Sequence, residues 1–336
     1  MALETTATQG AGLYQKYFVK EYLKYAKPLC VLTQAAYVKH LPAAQGAKIV
    51  SFFKLNAPAI ASITAPSEGV YAAVNRSLTT TNVDITLAQR FQDVRITDVV
   101  LATHALPILK NAIQLLKDDF ALDVDTNLRN QWVADQVAFA STTYTRFSGV
   151  SAPVSVAAGF TSLSALTQAQ GAMVIKDLLD ARTALMLARA PTFDGDYLGF
   201  IPSQCLRDLL VDTTFVNASS YSNLKPLYNG EIGKYYGVRV IEHTNPFRQT
   251  SGGTYGTQSA AGVGIFQSII AGQQAIGMAD LFNQPFLQPK VYIIDKPDKS
   301  DPSNQFVIVA TKYDVGQKSL DNTFSVHNLS KSVFGG

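Results

Sequence analysis

Hydrophobic and polar positions along this chain predict a mixture of helices and strands. The clearest helix signal covers residues 105–140, where large apolar side chains recur every three or four positions. As one helix this segment would be about 54 Å long, and two helices broken near Asp123–Asp125 are the alternative. Further helices are predicted over 168–189 and 203–212. Strands are predicted over 47–56, 78–99, 196–202, 235–243, the start of 265–281, 290–295, 306–315 and 322–329.

The strands over 47–56 and 78–99 are predicted to form an extended hairpin arm. About twenty weakly apolar residues, interrupted by proline and glycine, separate them, which is unusual inside a compact domain. No lysine occurs between Lys54 and Lys110. Residues 141–167 are rich in Gly, Ser, Thr and Ala and predict a linker between two lobes.

Residues 13–29 predict an amphipathic helix behind a small, polar tail. Its aromatic side needs a surface that buries it, on its own chain or on a neighbour. Its basic side is either a solvated helix face or a contact for a polyanion such as packaged DNA. The aromatic side carries Tyr14, Tyr17, Phe18, Tyr22 and Tyr25, and the basic side carries Lys16, Lys20 and Lys27.

The most informative feature of the composition is its content of charged residues. The chain has 336 residues, enough for two lobes, and 47% are hydrophobic but only 16% are charged. Either neighbouring subunits cover much of the surface, or the surface is polar and neutral, as in a secreted or cold-adapted protein. A net charge of +3 excludes a dedicated nucleic-acid binder. Two distant cysteines, Cys30 and Cys205, favour a reducing compartment, and we expect neither a signal peptide nor a membrane span.

Candidate chemistry is sparse, and we predict no catalytic, cofactor-binding or metal-binding residue. The histidines show no metal-ligand spacing. The segment 229–234 (NGEIGK) lacks the spacing of a phosphate-binding loop. Asp194 and Asp196 could serve as an acid–base pair, but Gly195 between them makes a turn the ordinary explanation.

The segment 227–245 (LYNGEIGKYYGVRVIEHTN) resembles a signature of the tailed-bacteriophage major capsid proteins found in N4-like phages. His243 is a local departure from that pattern. SEGV (67–70) and RITDV (95–99), DYLGFIPSQCLRDLLVD (196–212) and SDPSNQ (300–305) match in the same order, so the resemblance covers about residues 10–330. The residues that carry the signature are Asn229, Gly230, Glu231, Ile232, Gly233, Gly237, Val238, Arg239, Glu242 and Thr244.

The resemblance implies an α+β chain with the major capsid protein fold of tailed phages and herpesviruses. Its expected parts are an N-terminal arm (1–45), an E-loop (46–98), a peripheral domain with a long spine helix (99–165), an axial domain (166–295) and C-terminal strands that return to the peripheral domain (296–336). Inter-subunit contacts are expected from the aromatic residues of 13–29 and from Phe52, Phe53, Pro66, Glu68, Val70, Tyr71 and Arg76.

The expected function is a non-enzymatic shell subunit that forms hexamers and pentamers of an icosahedral phage head around double-stranded DNA. Its expected partners are many copies of itself and non-specifically bound DNA, with scaffold, portal and decoration proteins left open and no membrane. Assembly is expected in the host bacterial cytoplasm, and the virion is the final location. Because the distal arm has no lysine, we expect no covalent arm cross-link. The alternatives are an encapsulin-like nanocompartment shell and a hydrolytic enzyme that uses Asp194 and Asp196.

Overall fold

The structure is a computed structural model. It describes residues 31–41, 48–55, 68, 79–103, 108–139, 141, 143–148, 171–211, 231–250, 264–281, 290–297 and 303–332. The predicted helix over 13–29, most of the predicted linker and residues 251–263 lie outside the described residues.

The helices confirm the strongest prediction from the sequence. Residues 108–139 form one uninterrupted helix of 32 residues, which is about 48 Å long, so a break near Asp123–Asp125 is wrong. The helix continues there because both carboxylates bond to residues far along the chain, Asp123 to Tyr313 and Asp125 to His243. The helices are α1 (Asp98–Thr103), α2 (Ile108–Phe139), α3 (Ile175–Leu187) and α4 (Ser203–Val211), with 3-10 turns at Leu32–Ala35 and Asn322–Phe324.

Within the described residues the strands are β1 (Ala36–Leu41), β2 (Ile49–Leu55), β3 (Thr80–Thr86), β4 (Ala88–Thr97), β5 (Thr145–Phe147), β6 (Tyr197–Pro202), β7 (Glu231–Tyr235), β8 (Val238–His243), β9 (Arg248–Thr250), β10 (Gly264–Ala271), β11 (Ile276–Leu281), β12 (Lys290–Ile294), β13 (Phe306–Ser319) and β14 (Ser325–Lys331).

A seven-stranded mixed sheet forms the centre of the molecule. Its strand order is β5-β14-β10-β6-β8-β7, with β9 added beside β10. Every residue of β6 and β10 is buried, as expected for strands that are covered on both faces. Leu198, Phe200 and Ile269 point to a core shared with α2, whereas Ile201 and Ile270 point to a second core shared with α3 and α4.

A five-stranded sheet stands beside the first one. β13 is its long central strand, with β4 on one side and β11 and β12 on the other, and β1 pairs in parallel with β11. The last two strands therefore lie in different sheets, because β13 joins this sheet and β14 joins the central one. The sequence did not predict this separation. The five segments expected from the resemblance, with their names and bounds, remain a prediction.

Two segments with strand-like sequence are divided in the structure, one predicted as a single strand and one predicted as a strand only at its start. The predicted strand over 78–99 is two strands that separate at Leu87, because β3 pairs with β2 while β4 pairs with β13. The segment 265–281 is β10 and β11, which lie in different sheets. In both cases the chain changes pairing partner, which hydrophobic pattern alone does not reveal.

β2 and β3 form a two-stranded hairpin, here called the arm hairpin, that leaves the body at Ile49 and Thr86. Its root packs through Ile85 and Leu87 on a small buried cluster. Gly316 of β13 lies so close to the root that an added Cβ would be 2.6 Å from the Thr86 carbonyl oxygen.

Replacing Gly316 by alanine is expected to lower the free energy of unfolding by about 1–3 kcal/mol, because a methyl group there forces β3 away from β13. Urea denaturation of the unassembled subunit measures the change. An unchanged free energy of unfolding in Gly316→Ala would contradict the predicted close contact.

Candidate inter-subunit surfaces

The arm hairpin carries apolar side chains on both faces. Val50 and Phe52 point to the body, where Phe52 packs edge-to-face on Tyr37 with ring centroids 6.0 Å apart. The opposite face of β2 is exposed, with Phe53 at 78% and Leu55 at 62% of their full accessibility. Large apolar side chains that stay in water on a protruding element indicate a surface that a partner covers.

A second exposed apolar surface lies on the distal part of the five-stranded sheet. Pairing registers place alternate residues of β13 and their cross-strand partners on one face, here called the outer sheet face. The opposite face is buried through Val309, Thr311 and Tyr313, against α2. The outer sheet face carries the exposed residues Phe91, Tyr292, Ile294 and Phe306.

A groove of about 620 Å³ lies between β4 and α2. At its base Asp123 accepts hydrogen bonds from Tyr313 and from Arg90, whose Nη1 is 3.3 Å from both carboxylate oxygens. Burial, together with the Asp123 charge, raises the pKa of Tyr313. Phe91 and Leu122 line the groove and are partly or largely exposed, so this groove extends the apolar surface along the sheet edge.

A buried polar network holds α2 against the loop that follows β8. Asp125 is completely buried and accepts hydrogen bonds from the backbone NH of Leu32 (3.2 Å), His243 Nε2 (3.1 Å) and Asn245 Nδ2 (3.1 Å). Arg129 donates to the carbonyl oxygens of Asn245 (2.9 Å) and Pro246 (3.0 Å). His243, the departure from the family signature, is therefore a partner of the long helix.

The remainder of the signature segment has structural roles. Residues 231–235 form β7, an edge strand rather than the start of a helix, so the structure gives NGEIGK no helix N-terminus for an anion. Gly237 has a φ of +75°, which the tight turn between β7 and β8 requires. Arg239 and Lys234 form ion pairs with the buried carboxylate of Asp196, at 3.7 Å and 2.6 Å.

The carboxylate pair considered for catalysis is part of a turn. Asp194 has a φ of 50° and Gly195 a φ of +88°, while backbone hydrogen bonds of 2.8 and 2.9 Å join Phe193 and Asp196. Because Asp196 is held by two cations of neighbouring strands, it is a structural residue, as the turn interpretation predicted.

The thiol of Cys205 is buried, and burial raises its pKa to about 12, so it is not a reactive nucleophile. Cys30 lies outside the described residues. Within the ranges that the structure describes, no cluster of His, Cys, Asp and Glu could hold a metal ion. Among the described helices, none is long and apolar enough to cross a membrane.

Few of the residues predicted for inter-subunit contacts are described. Phe52 faces the body, Phe53 is exposed on the arm hairpin, and Glu68 is exposed in a turn. The residues of the N-terminal helix, both its aromatic side and Lys16, Lys20 and Lys27, lie outside the described residues, as do Pro66, Val70, Tyr71 and Arg76.

The sequence did not predict the outer sheet face. Its apolar residues belong to β4, β12 and β13, which read as ordinary core strands. One signal was present: β12 carries Tyr292, Ile293 and Ile294 in succession, so both of its faces carry large apolar side chains.

Comparison with known proteins identifies the family. The family model described as phage capsid protein matches residues 59–284, about two thirds of the chain. No curated protein sequence matches this chain.

Solved structures show the same fold at low sequence identity. The capsid of Ralstonia phage GP4 is similar with a TM-score of 0.67 and 14% identity over 98% of both chains. The capsid of cyanophage Pam1 is similar with a TM-score of 0.67 and 16% identity over 97% of this chain and 98% of that one.

The SrpI encapsulin of Synechococcus elongatus PCC 7942 is also similar, with a TM-score of 0.59 and 10% identity over 99% of this chain and 98% of that one. The similarity to these shells shows that the chain has the α+β fold of phage capsids, and the family match shows its role as a capsid protein. The chain belongs to the phage capsid proteins, and it is a structural subunit of a virion shell rather than an enzyme.

Proposed function

We propose that this subunit forms the hexamers and pentamers of an icosahedral head that encloses double-stranded DNA, and that the arm hairpin of one copy covers the outer sheet face of the next. The exposed apolar residues carry the proposal, because Phe53 and Leu55 protrude on one element while Phe91 and Tyr292 remain open on another. Burial of apolar area is worth about 25 cal/mol per Å², so repeated contacts of this kind stabilise a closed shell.

Further parts of the proposal come from the sequence. The segment 227–245 supports membership of the N4-like subgroup, and the predicted helix over 13–29 supports an N-terminal arm that packs on a neighbour. Lys16, Lys20 and Lys27 are the proposed DNA-facing cations, with contacts to phosphates that read no base sequence. Scaffold, portal and decoration proteins are the candidate further partners, and the host cytoplasm is the proposed place of assembly.

The arm contact is tested by charging its exposed face. The double variant Phe53→Glu/Leu55→Glu is expected to abolish closed particles, because two carboxylates cannot be buried against an apolar surface without a cation. Light scattering and electron microscopy distinguish particles from free subunits.

Phe53→Leu/Leu55→Met is the matched control, and it should still assemble because it keeps an apolar arm. Urea denaturation should give both variants the stability of the parent subunit, since the changed side chains are exposed. Normal particles from the glutamate variant would contradict the proposed arm contact.

A cellular nanocompartment is the second candidate, and the similarity to an encapsulin favours it. The contents of purified particles decide between the two. A phage head contains double-stranded DNA after packaging, whereas a nanocompartment contains a protein cargo. Particles from the native source that hold enzyme and no DNA would contradict the proposed head.

A further inference from the structure

The arm hairpin is attached to the body at two points. The first is its root, where Ile85 lies against Gly316. The second is Lys54, whose ammonium group forms an ion pair with Asp321 and lies 5.3 Å from the centroid of the Phe324 ring. Lys54 lies opposite Thr81, four residues from Ile85 along β3, which places the second attachment about 13 Å from the root.

Asp321 stands at a junction between the two sheets. It lies in the connection from β13 to β14, which leads from the five-stranded sheet to the seven-stranded one. The connection from β10 to β11 makes the same crossing in the other direction. The two connections are bonded together, since the backbone NH of Leu320 donates to the Ala275 carbonyl oxygen (3.0 Å) and the NH of Gly272 donates to that of Phe324 (2.9 Å).

The two carboxylate oxygens of Asp321 have separate roles. Oδ1 accepts hydrogen bonds from the backbone NH (3.0 Å) and the hydroxyl (2.7 Å) of Thr323 and so fixes the 3-10 turn of the junction. Oδ2 accepts from Lys54. The carboxylate is nearly buried, with 8% of its side chain exposed, whereas Lys54 is 43% exposed. The anion is thus held rigidly by the junction, and the arm brings the cation to it.

We propose that the Lys54–Asp321 pair is a latch that fixes the direction of the arm hairpin relative to the junction between the sheets. An arm attached only at its root could pivot there, whereas a second attachment near the end of β2 defines the angle of the hairpin. The latch thereby sets where the arm meets the adjacent copy. This last consequence rests on the proposed function, whereas the latch itself lies within one copy.

The test compares variants that remove the charge at either partner. Lys54→Met keeps the long side chain over Phe324, and Asp321→Asn keeps an oxygen that can accept from Thr323. Hydrogen–deuterium exchange on assembled particles should show roughly three- to tenfold faster exchange in the distal arm, residues 53–55 and 80–82, with the root unchanged. Cryo-electron microscopy of the same particles should show a wider spread of arm directions and of particle diameters.

Three further variants make the result specific. The double variant Lys54→Met/Asp321→Asn should match either single variant, because both remove one interaction. Lys54→Arg should restore the parent behaviour, because it keeps the positive charge. Lys48→Met makes the same charge change at an exposed position at the other end of the arm, and it should have no effect.

The latch is overturned if Lys54→Met leaves the exchange and the arm direction unchanged, or if Lys48→Met has the same effect as Lys54→Met. The proposed function has its own readout in the parent particle, where the arm either contacts an adjacent copy or does not. A parent arm that touches no neighbour refutes the proposed arm contact, yet the exchange of the distal arm within each copy still tests the latch.

Discussion

Replacing Asp125 by alanine is expected to lower the free energy of unfolding of the subunit by about 3–5 kcal/mol, because it removes one member of a buried charged network. The carboxylate is completely buried, and it accepts hydrogen bonds from Leu32, His243 and Asn245. The Leu32 NH and His243 Nε2 would lose this acceptor, whereas Asn245 Nδ2 keeps its hydrogen bond to the Thr126 hydroxyl at 2.9 Å. A buried donor without an acceptor costs about 1–3 kcal/mol.

Removing the Asp125 charge also changes the electrostatic environment of Arg129. Its side chain is also buried, and burial lowers its pKa while the nearby charge of Asp125 raises it. Without Asp125 the guanidinium keeps its hydrogen bonds to Asn245 and Pro246 but loses the closest compensating negative charge. The network joins α2 to the loop after β8 and to the 3-10 turn that begins at Leu32, so its loss loosens three parts of the fold together.

Urea denaturation of the unassembled subunit measures the loss. Asp119→Ala is the matched control on the same helix, because Asp119 is only half-buried and is bonded to Gln92 at 3.1 Å. That control should cost less than about 1 kcal/mol. Asp125→Asn should fall between the two, since an amide keeps one acceptor. A loss from Asp125→Ala no larger than that of Asp119→Ala would contradict the importance of the network.

The sequence predicted elements whose signal is local. The apolar period of α2 continues for nine turns, and the largely apolar sequences of β2 and β6 indicate strands irrespective of their pairing partners. Asp123 and Asp125 looked like a break because aspartate is a poor helix former. The distant partners Tyr313 and His243 remove that penalty, and no local pattern names them.

The sequence did not allow the pairing between distant strands to be predicted. β1 pairs in parallel with β11, some 240 residues later, and β13 and β14 separate into different sheets although a short turn connects them. Such pairings depend on which faces remain uncovered after the helices pack, which is a property of the whole chain. The outer sheet face could not be predicted for the same reason, since its exposure follows from the register of β12 and β4 on β13.

The candidate chemistry was predicted better than the candidate surfaces. The turn at Asp194–Asp196 was predicted from residue types and spacing, whereas the aspartate partners of His40 and His243 were not. Among the exposed apolar residues, Phe53 belongs to a strand that the sequence placed in an arm, and Tyr292 belongs to a sheet edge that the sequence did not single out. A shell subunit acts through an extended contact area rather than through a short motif. Its contact surface can therefore be identified only after the strands have been placed in the fold.

Acid is expected to destabilise the subunit through His327. This residue is completely buried in β14, accepts a hydrogen bond at Nδ1 from Gln267 and packs edge-to-face on Trp132 with ring centroids 6.0 Å apart. Burial lowers the pKa of His327 to about 3, whereas an unfolded histidine titrates near 6.5. Between these values the unfolded chain binds a proton that the folded subunit does not, so lowering the pH stabilises the unfolded state relative to the folded one.

The stability from a neutral His327 is therefore complete above about pH 6.5 and is lost progressively down to about pH 3. Lowering the pH from 7 to 4.5 should remove about 2–3 kcal/mol of unfolding free energy through this residue alone. Asp135 and Asp177 act in the opposite direction, since burial raises the pKa of each carboxyl and the folded state then holds a proton more readily. The change in the parent subunit thus combines both signs, and a variant must isolate the histidine.

His327→Gln and His327→Leu provide that isolation. Glutamine can still accept from Gln267 and leucine cannot, so the two differ in stability at pH 7, but neither titrates. Urea unfolding at several pH values between 7 and 4.5 gives the slope of stability with pH for each protein. Both variants should lose about 1.4 kcal/mol less per pH unit than the parent below pH 6. Equal slopes in all three would mean that His327 is protonated in the folded subunit, which its burial between β10 and α2 opposes.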